Sequence, residues 1–479
     1  MNSPNLEKFR ELKKGDHIHL MGICGTAMGS LAGLLKEKGY RVSGSDQNVY
    51  PPMSTQLERM KIPVIEGYKK ENLIPAPDFV VVGNVMTKKM EEVQALLDST
   101  VPFTSLPSLL GELFLKNRES LVCCGTHGKT TTTSMATWAL ECLEINPGYL
   151  IGGVPLNFEY SFSSRDSDWF VIEGDEYDTA FFDKVPKFKH YHPKSAILTG
   201  IEFDHIDIYD DLEDVLKAFE ILFESMNRED SVLVYNGDDK NIKTLLAKMK
   251  PDFWTLSYGL DAANHSCLLE ESVSEEGTEL VVKVGDREFE FFGAWHGTYN
   301  SLNFLSVLTL LDFKGLDIDK VIESAATFKG VKRRQQKLFE NNLVTVFEDF
   351  AHHPTAVRYT VESFKKRYPE KKVIAVFEPR SATSRRSVFQ KDYVESFKSA
   401  DKSVIAPVLV KSERDTFSTK ELSEDINKSG GVSFAPDSKQ ELLDLLVNSV
   451  TEPSLVLFMS NGGFENIPQD FVKKIDHKA

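Results

Sequence analysis

Short apolar segments that end in glycine recur along this chain, and stretches with helical periodicity follow them. The clearest examples are HIHLMGICG at 17–25, WFVIEG at 169–174 and SAILTG at 195–200. Strands that alternate with helices in this way are typical of parallel sheets whose faces are covered by helices. The sequence therefore predicts the α/β fold class, in which ligands bind at the carboxyl ends of the strands.

The alternation falls into three blocks, which we interpret as three domains, each a mostly parallel sheet with helices on its faces. A chain of 479 residues is also too long for one hydrophobic core. We place the domains at 1–118, 119–329 and 330–479, with the last beginning inside the segment FKGVKRR.

Charge and composition exclude several classes of partner. The formal net charge of −16 argues against nucleic acid, because phosphate backbones are bound by basic surfaces. The five cysteines form neither a C-x-x-C motif nor a disulfide pattern. The start, MNSPNLEKFR, lacks the apolar core of a secretory signal, and the apolar stretch near 301–313 is too polar to span a membrane. We expect a cytoplasmic protein with reduced thiols and no membrane partner.

The segment CCGTHGKTTTT is the most specific motif in the sequence. The common phosphate loop G-x-x-x-x-G-K-[ST] has its first glycine where this chain has Cys123, but Gly125 and Gly128 bracket a shorter turn. A strand, a glycine turn, a lysine, a hydroxyl and a helix in this order favour a variant phosphate loop over a turn with an incidental lysine. We predict that Lys129 reaches the β- and γ-phosphates of a nucleotide and that the Thr130 hydroxyl binds Mg²⁺.

Two acidic clusters follow the next predicted strands. The first begins at Glu173 and continues as GDEYD, and the second, IEFDH, ends at His205. Either cluster alone could be a solvated turn, but Mg²⁺ needs hard oxygen ligands near the phosphate loop. We predict that Glu173 binds a first metal ion and His205 a second.

The first block has a glycine turn of its own, GICGTAMG. Its spacing, with Gly22, Gly25 and Gly29, differs from the dinucleotide fingerprint G-x-G-x-x-G. Asp46 ends the next predicted strand, where a carboxylate often binds ribose. A close packing turn would also explain these glycines, but we favour a site for a nucleotide diphosphate.

Further motifs occur in a fixed order along all three blocks. They are GICGTAMG, SGSDQNVYPPMSTQLE, GNVMT, GTHGKTTTTSMATW, IGGVPLNFE, IEGDEYDTAFFDK, EFDHIDIYDDL, EDFAHHPTAV, FEPRSAT and MSNGGFENI. Together they resemble the Mur ligase family, whose members join amino acids or peptides to UDP-N-acetylmuramic acid. The segments YPPMS and DEYDTAFFDK point to the member that uses a tripeptide acceptor in peptidoglycan recycling.

The resemblance implies a fold, a reaction and its substrates. It implies a Rossmann-like N-terminal domain that binds the UDP-sugar, a central P-loop ATPase domain, and a Rossmann-like C-terminal domain that binds the acceptor. The expected reaction joins L-alanyl-γ-D-glutamyl-meso-diaminopimelate to UDP-N-acetylmuramate through an acyl phosphate, with ATP as a substrate and Mg²⁺ as the cofactor. We expect a monomer or weak dimer whose partners are these small molecules.

The resemblance also assigns residues to four roles, each by its position in a motif. Residues expected to bind the UDP-sugar are Gly22, Gly25, Thr26, Ala27, Met28, Asp46 and Asn84. Residues expected to bind ATP are Gly125, Thr126, His127, Gly128, Lys129, Thr130, Thr131, Asn300, Arg334 and Asp349. The expected catalytic residues are Lys129, Glu173, His205 and Arg334, and the expected metal ligands are Thr130, Glu173 and His205. Residues expected to bind the acceptor are His352, Arg380, Arg385 and Arg386.

The chain departs from the family pattern at three places. Tyr299 stands where a histidine is usual, Gln336 where an acid often follows the arginine pair, and the segment 218–222 lacks the lysine that several relatives carbamylate. Tyr299 therefore predicts altered packing against adenine, and the missing lysine predicts that Glu173 and His205 hold the metals with water.

Several alternatives stay open at the level of sequence. One is the family member that adds L-alanine, although that relative has a histidine and several arginines near the position of Arg380. A second is a catalytically silent sensor of nucleotide-sugars, and a third is a P-loop enzyme that phosphorylates a hydroxyl. The pair Arg385–Arg386 could also be a solvated helix face.

Overall fold

Three large sheets with helices on their faces make up this protein, as its computed structural model describes it for residues 4–5, 8–49, 53–226, 229–408 and 416–476. This architecture confirms the predicted α/β class. Tyr50, Pro51 and Pro52 of the YPPMS motif lie outside the described residues. Among the residues described, no helix is both long enough and apolar enough to cross a membrane.

The N-terminal sheet has five parallel strands in the order β3-β2-β1-β4-β5. The strands are β1 (His17–Met21), β2 (Arg41–Asp46), β3 (Val64–Glu66), β4 (Phe79–Val82) and β5 (Phe103–Ser105). The helices are α1 (Thr26–Glu37), α2 (Met53–Arg59), α3 (Glu91–Asp98) and α4 (Leu106–Leu110), with short turns at Lys8–Glu11, Lys70–Leu73 and Gly111–Leu115. β1 is the central strand, so the turn that follows it lies at the middle of the carboxyl edge.

The central sheet has ten strands in the order β17-β16-β15-β14-β13-β12-β6-β9-β7-β8. Its strands are β6 (Glu119–Cys124), β7 (Gly148–Leu150), β8 (Phe162–Ser163), β9 (Trp169–Gly174), β12 (Ser195–Leu198), β13 (Val232–Asn236), β14 (Trp254–Gly259), β15 (Ser266–Val273), β16 (Thr278–Val284) and β17 (Arg287–Gly293). A separate hairpin is formed by β10 (Asp178–Ala180) and β11 (Asp183–Pro186). The helices are α5 (Lys129–Cys142), α6 (Leu212–Ser225), α7 (Lys240–Met249), α8 (Thr298–Phe313) and α9 (Ile318–Thr327), with a short turn at Lys187–His190.

One part of the central sheet was not predicted from the alternation of strands and helices. β15, β16 and β17 pair antiparallel as two consecutive hairpins. They extend a sheet whose other strands are parallel, except for the short antiparallel pair of β7 and β8.

The C-terminal sheet has six strands in the order β18-β19-β23-β20-β21-β22, of which only β18 is antiparallel to its neighbour. The strands are β18 (Gln336–Glu340), β19 (Val344–Asp349), β20 (Lys372–Phe377), β21 (Lys402–Ile405), β22 (Ser433–Phe434) and β23 (Ser454–Met459). The helices are α10 (Pro354–Arg367), α11 (Gln390–Ser396), α12 (Thr419–Lys428), α13 (Lys439–Ser449) and α14 (Ile467–Asp476), with short turns at Ser387–Phe389 and Phe464–Asn466.

The order of the central strands positions the site. β6 lies between β12 and β9, so the phosphate-loop motif leaves the sheet between the two strands that precede the acidic clusters. The strands of this region are apolar and buried, and burying each leucine, isoleucine or valine side chain contributes about 1.5–3 kcal/mol. This core holds the three carboxyl ends side by side.

The central domain also contacts both of its neighbours. Toward the N-terminal domain, Ser30 and Ser161 share a hydrogen bond of 3.0 Å between their hydroxyls. Toward the C-terminal domain, the Thr383 hydroxyl donates a hydrogen bond of 2.6 Å to Asp204 Oδ1. The three exact domain limits predicted from the sequence stay predictions.

Candidate active site

The loop after β6 depends on two glycines. Gly125 has a φ of +120° and Gly128 a φ of +82°, in the left-handed region that favours glycine. A β-carbon would come within 2.3 Å of Thr199 Oγ1 at Gly125 and within 2.8 Å of Asn303 Oδ1 at Gly128. Cys123 is a fully buried residue inside β6, where an extended strand needs no glycine. The turn therefore starts two residues later than in the common phosphate loop.

Lys129 is the first residue of α5, and its amine is held in place by the chain itself. Its Nζ donates hydrogen bonds of 2.8 Å to Gly125 O and 2.9 Å to Glu176 Oε2. Burial alone would lower the pKa of Lys129, but the carboxylates of Glu176 and Asp175 outweigh it and raise the pKa. The amine is thus a permanent positive charge beside the N-terminus of a helix, an arrangement suited to binding phosphate.

Thr130 and Glu173 meet at the ends of α5 and β9. The Thr130 hydroxyl donates a hydrogen bond of 3.0 Å to Glu173 Oε2, and the Gly152 N–H donates one of 2.5 Å to Oε1. Burial raises the pKa of Glu173, and the nearby charge of Asp175 raises it further. A hydroxyl beside a buried carboxylate supplies hard oxygen ligands, so these residues fit Mg²⁺.

His205 meets the other side of Lys129 through Glu176. The His205 Nε2 lies 3.3 Å from Glu176 Oε1, and its ring centroid is 4.9 Å from that of Tyr177. Glu176 is 2% exposed and contacts both Lys129 and His205. Glu176 therefore links two residues that the sequence predicts to be catalytic, a role that the sequence did not single out.

A second buried ion pair supports this cluster. The Lys187 Nζ lies 2.7 Å from Asp175 Oδ2, and the Tyr177 hydroxyl donates a hydrogen bond of 2.9 Å to the same oxygen. Burial would raise the pKa of Asp175, but the charges of Lys187 and Lys129 lower it to about 2. Lys187 fixes the segment that presents Glu176, and it lies three residues after the motif DEYDTAFFDK, so the sequence did not single it out.

In the N-terminal domain the glycine turn after β1 is fastened by Asp46. Its Oδ2 accepts a hydrogen bond of 2.8 Å from the Cys24 N–H, and its Oδ1 accepts one of 3.0 Å from the Asn48 N–H. Gly22 has a φ of +81°, and its N–H donates to the Ser45 carbonyl. The carboxylate thus shapes the turn, whatever it contacts in a ligand.

The remaining residues predicted to bind the UDP-sugar surround this turn. Gly25 and Thr26 are exposed at the N-terminus of α1, next to partly buried Ala27 and buried Met28. Asn84 is exposed just after β4, the neighbour of β1. The structure brings these residues to one edge of the sheet, and their contacts with a ligand stay predictions.

Asp349 and Tyr299 connect the central and C-terminal domains. Asp349 Oδ2 accepts a hydrogen bond of 2.7 Å from the Gln335 N–H, and Oδ1 accepts one of 2.8 Å from the Ala351 N–H. The Gln335 Nε2 in turn donates a hydrogen bond of 2.5 Å to the Tyr299 hydroxyl. Tyr299, which departs from the family pattern, therefore binds the C-terminal domain.

Arg334 and Asn300 are held by neighbouring groups on the two sides of this contact. The Arg334 guanidinium lies 4.5 Å from the centroid of the Phe350 ring, which is a cation–π distance. Asn300 donates a hydrogen bond of 2.8 Å to the His296 carbonyl at the start of α8. The predicted contacts of Arg334 with phosphate and of Asn300 with adenine stay predictions.

The residues predicted to bind the acceptor lie in the C-terminal domain. The Arg380 side chain is 41% exposed, and its Nη1 lies 3.7 Å from buried Glu378 Oε1. His352 Nδ1 lies 3.0 Å from the Phe350 carbonyl oxygen. The carbonyl can only accept, so this nitrogen is the donor of the hydrogen bond. Arg385 and Arg386 are both partly exposed and follow Thr383, which bonds to the central domain.

Known protein families account for the order of these features along the chain. Three family models match consecutive parts of the chain: "Mur ligase family, catalytic domain" over residues 17–118, "Mur ligase middle domain" over 123–311, and "Mur ligase, glutamate ligase domain" over 333–462.

Curated relatives match over nearly the whole chain. The UDP-N-acetylmuramate–L-alanyl-γ-D-glutamyl-meso-2,6-diaminoheptandioate ligase of Escherichia coli K12 is 37% identical over 463 residues, which cover 96% of this chain and 99% of the relative. The UDP-N-acetylmuramate–L-alanine ligase of Lactobacillus acidophilus is 31% identical over 472 residues, with 96% and 99% coverage. A solved murein peptide ligase from Psychrobacter arcticus 273-4 is 33% identical, with a TM-score of 0.72 and coverage of 96% and 99%. These matches confirm the family resemblance of the motifs.

Proposed function

Because this chain belongs to the Mur ligase family, we propose that it joins L-alanyl-γ-D-glutamyl-meso-diaminopimelate to UDP-N-acetylmuramate with the consumption of ATP. Members of the family are ATP-dependent ligases that form a C–N bond. The observation that carries the proposal is the meeting of Lys129, Thr130 and Glu173 in a chain that matches a tripeptide ligase from end to end.

The chemistry explains why the reaction needs a phosphate loop. A carboxylate and an amine do not condense at neutral pH, because the carboxylate is a poor electrophile and hydroxide is a poor leaving group. In the proposed first step, a carboxylate oxygen of the muramyl lactate attacks the γ-phosphorus, the bond to ADP breaks, and an acyl phosphate forms. In the second step the amine attacks the acyl carbon, loses a proton, and expels phosphate together with one of the original carboxylate oxygens.

Lys129 has the position and charge for the first step. Its Nζ sits beside the N-terminus of α5, where unpaired N–H groups also favour an anion. Glu176 holds the amine until a nucleotide phosphate can replace the carboxylate as its partner. The protein forms no covalent bond to the phosphoryl group that is transferred. Positioning and charge stabilisation therefore account for most of the catalysis.

The residues that would hold Mg²⁺ are Thr130 and Glu173, with His205 as a proposed ligand of a second ion. The ion would screen the negative charge that otherwise repels the attacking carboxylate from the phosphates. Glu176 keeps His205 oriented, and Gly152 keeps Glu173 oriented. The segment 218–222 of α6 offers no lysine, so water would complete the proposed coordination.

The acceptor is assigned on two grounds. The relative with the higher identity, at 37%, is named for the tripeptide, whereas the L-alanine ligase is 31% identical. Arg380 is also exposed on the C-terminal domain, and an arginine can bind an acceptor carboxylate through two hydrogen bonds. We propose the L-alanine-adding reaction as the second candidate, supported by the 31% identity over the full chain.

The location and the nucleotide partners follow from the proposed substrates. ATP and UDP-N-acetylmuramate are both cytoplasmic metabolites, so the proposed location is the cytoplasm. We propose that both of them and the tripeptide are this protein's small-molecule partners.

Transfer of oxygen tests the proposed mechanism. UDP-N-acetylmuramate labelled with ¹⁸O in the lactate carboxylate is incubated with ATP, Mg²⁺, the tripeptide and the protein. The acyl phosphate route predicts one ¹⁸O atom in each released phosphate and none in ADP, as measured by mass spectrometry. Unlabelled phosphate together with a formed amide would contradict the route, and the absence of an amide would contradict the proposed function.

A further inference from the structure

A second cluster of metal-binding residues lies between the central and C-terminal domains. It consists of His127, Glu202 and His353, which we call the interdomain cluster. His127 belongs to the loop before α5, Glu202 follows β12, and His353 is the N-cap of α10. The residues that the proposed function uses for Mg²⁺ are not among its members.

The spacing of the interdomain cluster is that of a metal site. Glu202 Oε2 lies 3.4 Å from His127 Nε2 and 3.4 Å from His353 Nδ1. All three ligand atoms lie within 4.8 Å of one another. Around a tetrahedral Zn²⁺ ion with bonds of about 2.0–2.2 Å, neighbouring ligand atoms are about 3.4 Å apart. The two separations that involve Glu202 therefore match those around one such ion.

The hydrogen bonds of His353 direct a lone pair into this space. Its Nε2 lies 3.3 Å from the Phe203 carbonyl oxygen, which can only accept a hydrogen bond. A neutral ring that donates there has a lone pair on Nδ1, which faces Glu202 and also accepts a long hydrogen bond of 3.4 Å from the Thr355 N–H. An ion bound at Nδ1 would replace that hydrogen bond.

Glu202 and His127 complete the set of ligands. Glu202 places a carboxylate oxygen between the two rings, 3.4 Å from each ligand nitrogen. The His127 Nε2 is shielded from solvent and faces Glu202 Oε2 at 3.4 Å. The Thr355 hydroxyl donates a hydrogen bond of 2.7 Å to Glu202 Oε2 and orients that oxygen.

We propose that His127, Glu202 and His353 bind a divalent transition-metal ion of the zinc class, and that this ion fastens the C-terminal domain to the phosphate loop. Two imidazoles and one carboxylate suit Zn²⁺ or Co²⁺, whereas the oxygen ligands at Thr130 and Glu173 suit Mg²⁺. A water molecule would take the fourth position. Because the ligands come from two domains, the ion binds the closed arrangement and stabilises it by linkage.

The probe for this site is Co²⁺ added to the full-length protein in millimolar Mg²⁺, which fills sites that prefer oxygen. We expect one Co²⁺ per chain and the visible absorption of a four-coordinate complex. Glu202→Gln and His353→Gln each remove one ligand and should weaken Co²⁺ binding by at least tenfold. Glu173→Gln, which alters the proposed Mg²⁺ site, and His265→Gln, which removes an exposed histidine elsewhere, should leave Co²⁺ binding unchanged.

The opposite pattern would overturn the proposal. Co²⁺ binding that is lost in Glu173→Gln and kept in Glu202→Gln would assign the ion to the Mg²⁺ site, and the absence of binding would refute the site altogether. Thermal melting followed by circular dichroism shows whether each variant folds. X-ray absorption of the wild-type protein with one equivalent of Zn²⁺ needs no variant: two imidazole ligands support the proposal, and one or none contradicts it.

Discussion

Glu176 Oε2 lies 2.9 Å from Lys129 Nζ, so the lysine of the phosphate loop is paired with a carboxylate of its own chain. Both groups are buried, with side-chain exposures of 2% and 12%. Under the proposed function, ATP phosphate competes with this carboxylate for the amine, so we expect Glu176 to weaken nucleotide binding while it orients His205.

Glu176→Gln should separate these two effects. The amide keeps the size of the side chain but removes its charge, so we expect the Kd of ATP to fall about fivefold, or about 1 kcal/mol. The kcat should also fall, because His205 loses its charged partner. Isothermal titration and initial rates measure the two quantities, and an ATP Kd that rises would contradict the competition.

Lys129→Ala removes the amine itself and tests whether the phosphate loop takes part in the reaction. We expect it to abolish turnover, at a cost of about 3–5 kcal/mol of transition-state stabilisation. A near-normal rate in this variant would remove the loop from the reaction.

Arg380→Ala tests the predicted contact with the acceptor. Loss of a charge-assisted pair with a carboxylate should raise the KM of the tripeptide about tenfold or more and leave the KM of ATP nearly unchanged. Arg358→Ala, at an exposed arginine of the same domain, is the control. Equal changes in both KM values would discredit the assignment.

Thr383→Val should open the molecule. The Thr383 hydroxyl bonds to Asp204 at 2.6 Å across two domains, and both side chains are nearly fully buried. Loss of a buried bond to a carboxylate costs about 1.5–3 kcal/mol, so the ligand-free protein should have a larger radius of gyration in small-angle scattering. Ser396→Ala removes a buried hydroxyl that donates to the Pro354 carbonyl within the C-terminal domain, and the same expansion in that variant would refute the interdomain role.

A pH dependence of stability follows from His296. Burial, with the charge of Arg367, lowers the pKa of His296 from 6.5 to about 4. Between these values the unfolded state binds one more proton than the folded state, so stability falls as the pH falls from about 6.5 to 4. This loss should reach about 3 kcal/mol at most and be absent above pH 7.

The comparison for this prediction is His296→Gln, in which the amide can still donate to the Ser274 carbonyl that accepts from His296 Nε2 at 3.0 Å. Urea unfolding of both proteins at several pH values measures the difference. A free-energy difference that is constant from pH 7 to pH 4 would show that His296 titrates normally.

Much of the fold was predictable because apolar strands that end in glycine leave a strong local signal. That signal predicted β6, β9 and the start of α5 at Lys129. The antiparallel strands β15 to β17 were missed, although the residues 266–293 alternate apolar and polar side chains and turn at Gly285 and Asp286. A period of two is typical of antiparallel strands with one buried face, and it differs from the continuous apolar runs of the parallel strands β6 and β12.

The site was less predictable where it depends on burial. Glu176 and Lys187 are buried charges. From the sequence alone, charged residues in a turn are expected to be exposed to solvent. The replacement of a loop glycine by Cys123 is also explained only by the strand that contains it. The bond between Asp204 and Thr383 joins residues that are 179 positions apart, and no local pattern signals such a contact.

The central claim is the formation of an amide from the muramyl carboxylate and a tripeptide amine, and a competition assay measures it most directly. The protein is given ATP, Mg²⁺ and UDP-N-acetylmuramate with equal amounts of the tripeptide and L-alanine, and the products are resolved by mass. We predict that the tripeptide adduct forms faster, with one ADP per amide. Faster formation of the alanine adduct, or hydrolysis of ATP without any amide, would contradict the account.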